Sequence, residues 1–328
     1  MNGRRTFMGA ALAAAAVAAS AGARRAAAQE RYPSKPIRLV IPFPPGGGAD
    51  AVARPLAPLL AETLGQPVVI DNRGGANGNI GAEIVAKAAP DGYTLLLANS
   101  SLTISGGLYR TLPFNPLADF APISLVGATP SLLATNPSVP ARTVKEFVEL
   151  ARSRPGKMSY GSGGSGSTLH LGAALLQSMA ALDTVHVPYK GGGPAIADAL
   201  AGQTDFIFVN PVAVLAQVRA GKLNALAVTS KKRLAILPDV PTFEEAGYPG
   251  LLSSTFYGVL GPVGLPRDIV QRLNAAIVAA VARRELAEPL VALGYELESN
   301  TPEQFASFLR DDSAEWLRLI KLTGATAE

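Results

Sequence analysis

The sequence predicts an α/β fold of two lobes, each a mostly parallel sheet flanked by helices, with two interdomain crossings. Three observations predict it. Residues 37–98 alternate strand and helix patterns in the order β-α-β-α-β, which implies parallel strands with right-handed crossovers. A second α/β series begins at Met158, and both series open with a glycine-rich turn between a strand and a helix. Two further apolar stretches, 120–136 and 255–260, read as an outward and a return passage of the chain. A chain that leaves one domain, builds a second and comes back can close on a hinge.

The first strand is Ile37 to Phe43, a short apolar run rich in β-branched residues. Pro44 and Pro45 end it, because neither can donate to a sheet ladder. Gly46, Gly47 and Gly48 follow, and Asp50, read as an N-cap, opens a helix through Val52, Leu56, Leu59 and Leu60. Pro67 to Asp71 reads as a strand, Asn79 to Ala89 as a helix and Thr94 to Ala98 as a third strand. Asn99 to Ser105 is polar and reads as irregular. Pro130 bends the passage at 120–136, and Thr143 with Glu146 makes a capping box for a helix from Val144 to Arg152.

In the second series, Met158 to Tyr160 is a strand and Thr168 to Ala181 a helix. Thr184 to Tyr189 is a strand, Pro194 to Ala201 a helix, and Asp205 to Asn210 and Asn224 to Thr229 are further strands. After the return passage a helix starts at Pro266, with Ile269, Val270, Leu273, Ile277 and Val281 on one face. Thr301-Pro302-Glu303-Gln304 caps a last helix whose apolar face is Phe305, Phe308, Leu309, Trp316, Leu319 and Ile320. That spacing makes Trp316 a core residue.

At 328 residues the chain can bury two real cores, and its charged fraction of 16% is that of a globular protein. With no cysteine, thiolate metal sites, a cysteine nucleophile and disulfides are excluded. Two histidines, His170 and His186, cannot make a three-histidine metal site within one chain. No metal and no cofactor is expected. Arg4-Arg5-Thr6-Phe7 precedes an alanine-rich run, and Ala26-Ala27-Ala28 offers small residues for cleavage, as in a cleavable twin-arginine export signal over residues 1–28. The expected location is therefore the periplasm. That segment holds four arginines and no acid, so its removal takes the formal charge from +4 to zero. No basic excess is left to recruit nucleic acid or an anionic membrane.

Glycines between a strand end and a helix start let a ligand approach the backbone, and their N–H groups with the helix dipole suit an anion. Gly46, Gly47 and Gly48 form one such turn, with Phe43 and Pro45 as pocket walls. Gly163, Gly164, Ser165, Ser167 and Thr168 form the other, richer in hydroxyls, with His170 just inside the helix. Lys190 precedes a third glycine turn and reads as a residue of the cleft rim. Asn99, Ser100 and Ser101 end the third strand, where open α/β sheets place ligands, and Asn99 and Ser100 are taken as ligand-binding. Asp205 is read as an acceptor for the far end of the ligand.

Two enzyme readings compete. Gly161, Gly163 and Gly166 satisfy the GxGxxG spacing of a dinucleotide site, but the next strand ends Pro188-Tyr189-Lys190 with no acid for the ribose. Only an NADP-dependent variant, through Lys190, survives that test. A serine-hydrolase-like reading would combine a serine of this turn with His170, within a turn of Ser167, and Asp205 to orient it, but GxSxG fails around Ser165, since Ser167 stands where the second glycine is needed. No catalytic motif is complete, and binding without chemistry is the expectation.

Five segments carry a resemblance. They are PFPPGGGAD at 42–50, DNRGGANGNIGAEIVAKAAPDGYTLL at 71–96 and YGSGGSGSTLHL at 160–171, followed by HVPYKGGGPAIADALAGQTDF at 186–206 and LPDVPTFEEAGYPG at 237–250. Together they resemble the extracytoplasmic solute-binding receptors of tripartite tricarboxylate transporters, a family widespread in Bordetella and its relatives. The resemblance implies a two-lobed, type II periplasmic binding protein fold. It implies a small carboxylate, an organic acid or amino acid, held between the lobes largely by backbone amides, hydroxyls and waters. It also implies the membrane subunits of such a transporter as partners, and a monomer is expected. The expected lobes are 29–104 with 253–328, and 105–252. Two places depart from the family: NSSLTISGG at 99–107, and Phe256 where many relatives have tryptophan.

Overall fold

A computed structural model describes residues 32–324 and 326, apart from residues 190 and 252. The expected export signal and Lys190 lie outside the described residues. In chain order the first elements are β1 (Ile37–Ile41), α1 (Gly48–Leu64), β2 (Val68–Asn72), α2 (Asn79–Ala86), β3 (Thr94–Asn99) and α3 (Ser101–Leu108). A single 3-10 turn, Ala76–Gly78, precedes α2. Then come β4 (Phe120–Pro130), β5 (Leu132–Thr135), α4 (Val144–Ser153), β6 (Ser159–Ser162), α5 (Thr168–Ala180) and β7 (Val185–Pro188). These are followed by α6 (Gly192–Ala201), β8 (Phe206–Val209), α7 (Pro211–Arg219) and β9 (Asn224–Val228). The chain ends with β10 (Ser254–Pro262), α8 (Arg267–Val281), α9 (Arg284–Ala292), β11 (Glu296–Leu297) and α10 (Pro302–Thr323).

The strands form two sheets, in the orders β11-β4-β10-β3-β1-β2 and β7-β6-β8-β5-β9. Both are mixed, which corrects the expectation of mostly parallel sheets. β2, β1 and β3 are parallel, and β6 runs parallel to β7 and β8. The crossing strands run the other way. β10 is antiparallel to β3 and β4, and β5 is antiparallel to β8 and β9. The reason is topological: a strand that enters a sheet from the other lobe arrives without a crossover helix, and only a crossover returns a strand in parallel.

β4 lies in the first sheet and β5 in the second, with Ser131 alone between them. Ser131 is buried, and its N–H donates to Thr229 Oγ1 at 2.8 Å while its carbonyl accepts from Thr229 N at 2.9 Å. Thr229 in turn donates to the Ser253 carbonyl. The outward passage, the return passage and the end of β9 are thus knitted together where the sheets meet. The expected break at residues 104 and 105 falls inside α3, and β4 beyond it pairs with β10 along nearly its whole length.

Each sheet is covered on both faces. Ile37, Leu39 and Ile41 alternate with Val40, so β1 feeds one core with Leu56, Leu60 and Ile277 and another with Leu96, Phe256 and Phe305. In the second lobe, Phe147, Tyr160, Phe206 and Phe208 fill one face, and Ala195, Ile207, Val209 and Val228 the other. Helix α10 serves both lobes. Phe305 and Leu309 belong to a first-sheet core, whereas Trp316, Leu319 and Ile320 join the core that holds Phe147 and Leu171. Trp316 is 4% exposed, a core residue as its spacing indicates, and its Nε1 donates to Asp312 Oδ2 at 3.0 Å. Asp312 also accepts from Thr103 Oγ1 at 2.5 Å, which fastens α10 to α3. Truncating Phe305, which is fully buried, would cost about 3–5 kcal/mol.

Both capping boxes form as their sequences predict, at Thr143 with Glu146 and Thr301 with Gln304. The segment 99–105 does not stay irregular: α3 begins at Ser101. Asn99 Oδ1 accepts from Ser101 N at 3.1 Å, which supplies the start signal. Its buried hydroxyls donate to backbone carbonyls, Thr103 to Ser100 and Ser105 to Leu102, so polar residues are accommodated inside a helix.

Candidate functional site

The first glycine turn is held from beneath. Gly47, not Asp50, is the N-cap of α1, and Asp50 lies in the first helical turn with a buried carboxylate. Asp50 Oδ2 accepts from Gly46 N at 2.9 Å and Arg54 Nε at 2.7 Å. Asn72 Nδ2 reaches Asp50 Oδ1 at 3.4 Å and the Phe43 carbonyl at 3.0 Å. Burial alone would raise this carboxyl, but the bonds from Gly46, Arg54 and Asn72 outweigh it and hold the pKa below the ordinary aspartate value. The result is a fixed turn that presents Gly48 at the helix start. Tyr295 Oη donates to the Gly48 carbonyl at 2.9 Å, and a Cβ on Gly48 would lie 2.4 Å from Tyr257 Oη. Glycine is required there by close approach.

The second turn is built on two histidines. Ser167 caps α5, its Oγ accepting from His170 N at 3.2 Å and donating to the Gly164 carbonyl at 2.8 Å. Gly166 N donates to His170 Nδ1 at 3.0 Å. His186 stacks on His170 and lies 2.7 Å by Nε2 from Ser162 Oγ. Burial, with His186 adding for His170, lowers both imidazoles to about 4, so the pair is neutral at pH 7. Thr168 Oγ1 shares a hydrogen bond of 2.8 Å with Thr255 Oγ1 on β10, and Ser253 Oγ donates to the Thr168 carbonyl at 3.1 Å. The second turn is thereby tied to the return passage.

Between the turns lies a cavity of about 230 Å³ lined from both sheets. The first lobe contributes Phe43, Gly48, Asn77, Asn99 and Ser101; the second contributes Gly163, Ser167, Thr168, Leu169, Gly191, Gly192 and Asn210. Thr129, Pro130, Ser131, Thr255 and Tyr257, on the two passages, complete it. Gly48, Ser101, Thr168 and Gly192 are first residues of helices α1, α3, α5 and α6, and Asn210 caps α7. Five helix N-termini therefore meet at one cavity, and the described residues that line it include no charged side chain. Partial positive charge without a cation favours a small anion. Burial raises the Tyr257 phenol, so it remains a donor at neutral pH.

The profile described as tripartite tricarboxylate transporter family receptor matches residues 52–325. The chain belongs to that family. Protein BugT of Bordetella pertussis is 39% identical to this receptor over 298 residues, covering 90% of this chain and 91% of its own. Among solved structures, Rpa4515 of R. palustris with adipate is 34% identical with a TM-score of 0.83, over 90% of this chain and 100% of that one. MatC of Rhodopseudomonas palustris with bound malate is 32% identical with a TM-score of 0.79, over 88% of this chain and 100% of that one. The two-lobed periplasmic binding architecture is thus this receptor's fold.

The sequence-predicted residues of the receptor divide into three groups. Phe43, Gly48, Asn99, Gly163, Ser167 and Thr168 line the cavity. Pro45, Gly46, Gly47, Gly164 and Ser165 lie in the two turns beside it without lining it. Three others are displaced by structural duties. Ser100 is buried, and its Oγ accepts from Phe256 N at 3.0 Å, fastening β3 to β10. His170 supports the turn through Gly166 and does not reach the cavity. Asp205 precedes β8, at the opposite end from Asn210, and its Oδ2 accepts from Ser159 N at 2.7 Å. At about 3.3 Å per residue it stands roughly 16 Å from the cleft end. The Ser167, His170 and Asp205 arrangement is accordingly not assembled.

Asn77, Asn210 and Tyr257 were not among the expected site residues. Asn210 was findable, because it follows β8 as Asn99 ends β3. Asn77 lay within the GGANGN segment. Nothing local marks Tyr257, whose place depends on the register of β10.

Proposed function

We propose that this chain is a periplasmic receptor that captures a small carboxylate between its lobes and presents it to the membrane subunits of a tripartite tricarboxylate-type transporter. The observation that carries this reading is the convergence of five helix N-termini from both lobes on one cavity lined by neutral polar groups. Rpa4515 with adipate and MatC with bound malate support the ligand class. Gly48 and Asn99 would act from one side, and Gly163, Ser167 and Thr168 from the other. Phe43 would wall the apolar part. The lobes would divide near Pro130 and Ser253, and the receptor would act as a monomer and without a catalytic step. Export by a cleavable twin-arginine signal over residues 1–28 belongs to the same proposal, and Arg4→Lys with Arg5→Lys should leave precursor in the cytoplasm.

A thermal-shift screen of mono- and dicarboxylates, amino acids and nicotinic acid tests the reading. A ligand at a hundredfold excess over its Kd stabilises the native state by about 2.7 kcal/mol, which such a screen resolves. At least one carboxylate should raise the melting temperature, and esters and reduced nicotinamide should not be turned over. A screen with no carboxylate hit would refute the proposal.

A further inference from the structure

Asn77 stands apart from the rest of the cavity wall. It sits in the 3-10 turn ahead of α2 with φ 53° and ψ 33°, a left-handed conformation that asparagine tolerates better than most side chains. Gly75, Ala76 and Gly78 around it also have positive φ, so the whole turn departs from ordinary backbone. Ser101 Oγ donates to Asn77 Oδ1 at 3.3 Å, which fixes which face of the carboxamide points where. Asn77 Nδ2 is then left without an acceptor and screened from solvent, in a residue that lines the cavity. Buried amide donors are rarely left so, because desolvation without a partner is costly.

The described residues lining the same cavity include no aspartate and no glutamate. An amino group on a ligand would lose its hydration there and gain no carboxylate partner. A carboxylate oxygen, by contrast, would complete Asn77. Resting on the carboxylate reading above, we propose that Asn77 Nδ2 is a ligand-contacting donor and that the cleft selects carboxylates without an amino group over their amino acid analogues.

The test titrates wild type and two variants by calorimetry with matched pairs: succinate and aspartate, glutarate and glutamate, adipate and 2-aminoadipate. Asn77→Gly keeps the left-handed backbone and removes the amide. Asn77→Asp keeps the shape but replaces the donor with a negative acceptor. Melting curves without ligand check that both variants fold. In wild type the amine-free acid should bind at least about tenfold tighter in every pair that binds. Asn77→Gly should lose about tenfold for that acid, and Asn77→Asp more than about a hundredfold. Aspartate, glutamate or 2-aminoadipate binding as tightly as its partner would overturn this inference and leave the carboxylate reading standing. Unchanged affinity in both variants would also overturn it. No binding by any of the six acids would overturn both readings.

Discussion

His170 and His186 stack face to face, with ring centroids 3.9 Å apart and planes within 9°, beneath the second glycine turn. Tyr160 stacks against His186 at 4.9 Å and lies 6.4 Å from His170. The sequence offers only these two histidines, and the fold places both under one turn. Their task is to be neutral: His170 Nδ1 can accept from Gly166 N only while unprotonated.

A pH dependence follows. Both imidazoles are lowered to about 4, by burial first, while unfolded histidine titrates near 6.5. Below about pH 6.5 the unfolded chain takes up protons that the native chain refuses, so stability falls as pH drops towards 4 and levels off beneath it. The slope is at most about 1.4 kcal/mol per pH unit for each histidine. Melting temperature measured from pH 7.5 to 4.5 should fall. His186→Phe, which keeps an aromatic stack, should show a shallower decline. Equal slopes in both proteins would exclude this role.

A second prediction separates two adjacent glycines. A Cβ on Gly48 would lie 2.4 Å from Tyr257 Oη, whereas one on Gly47 would meet nothing nearer than the Pro44 carbonyl at 3.8 Å. Gly48→Ala should cost about 1–3 kcal/mol and weaken ligand binding at least about tenfold. Gly47→Ala should stay within about 0.5 kcal/mol of wild type. Denaturant unfolding and titration of both variants would check this, and similar behaviour of the two would remove the close-approach argument.

The third concerns Asp50. Its pKa is held down against burial by Gly46, Arg54 and Asn72, so the clamp contributes stability above the unfolded value near 3.9. That contribution is lost as pH falls through the lower folded value. At pH 7, Asp50→Asn should destabilise by about 1–3 kcal/mol, since the Gly46 and Arg54 bonds lose a charged acceptor. Below pH 3 the difference between variant and wild type should shrink. A variant as stable as wild type at pH 7 would show that the turn holds itself.

Much of this was legible in the sequence, for identifiable reasons. Pro44, Pro45 and the glycines after them mark the end of β1, and the box at Thr301 marks the start of α10. Such signals are local. What the sequence did not disclose depends on partners far along the chain. The direction of β5 and β10 follows from entering each sheet from the other lobe, which no local pattern records. Asp205 carries the right chemistry on the right strand, but it lies before β8 instead of after it. Ser100 was expected in the site because it follows β3, and its hydroxyl is instead spent on Phe256 N, 156 residues away. Polar residues at a strand end suggest a site; the contacts made across the sheet decide which of them remain free for a ligand.

In the proposed binding mode one anion is held between helix starts from both lobes. The structure of the complex with the tightest-binding carboxylate from the thermal-shift screen tests it most directly. A carboxylate is expected in the cavity between Gly48 of α1 and Thr168 of α5, with backbone N–H groups or bridging waters as its partners. A carboxylate seated elsewhere, such as on Arg54 or Arg110 at the surface, would contradict it.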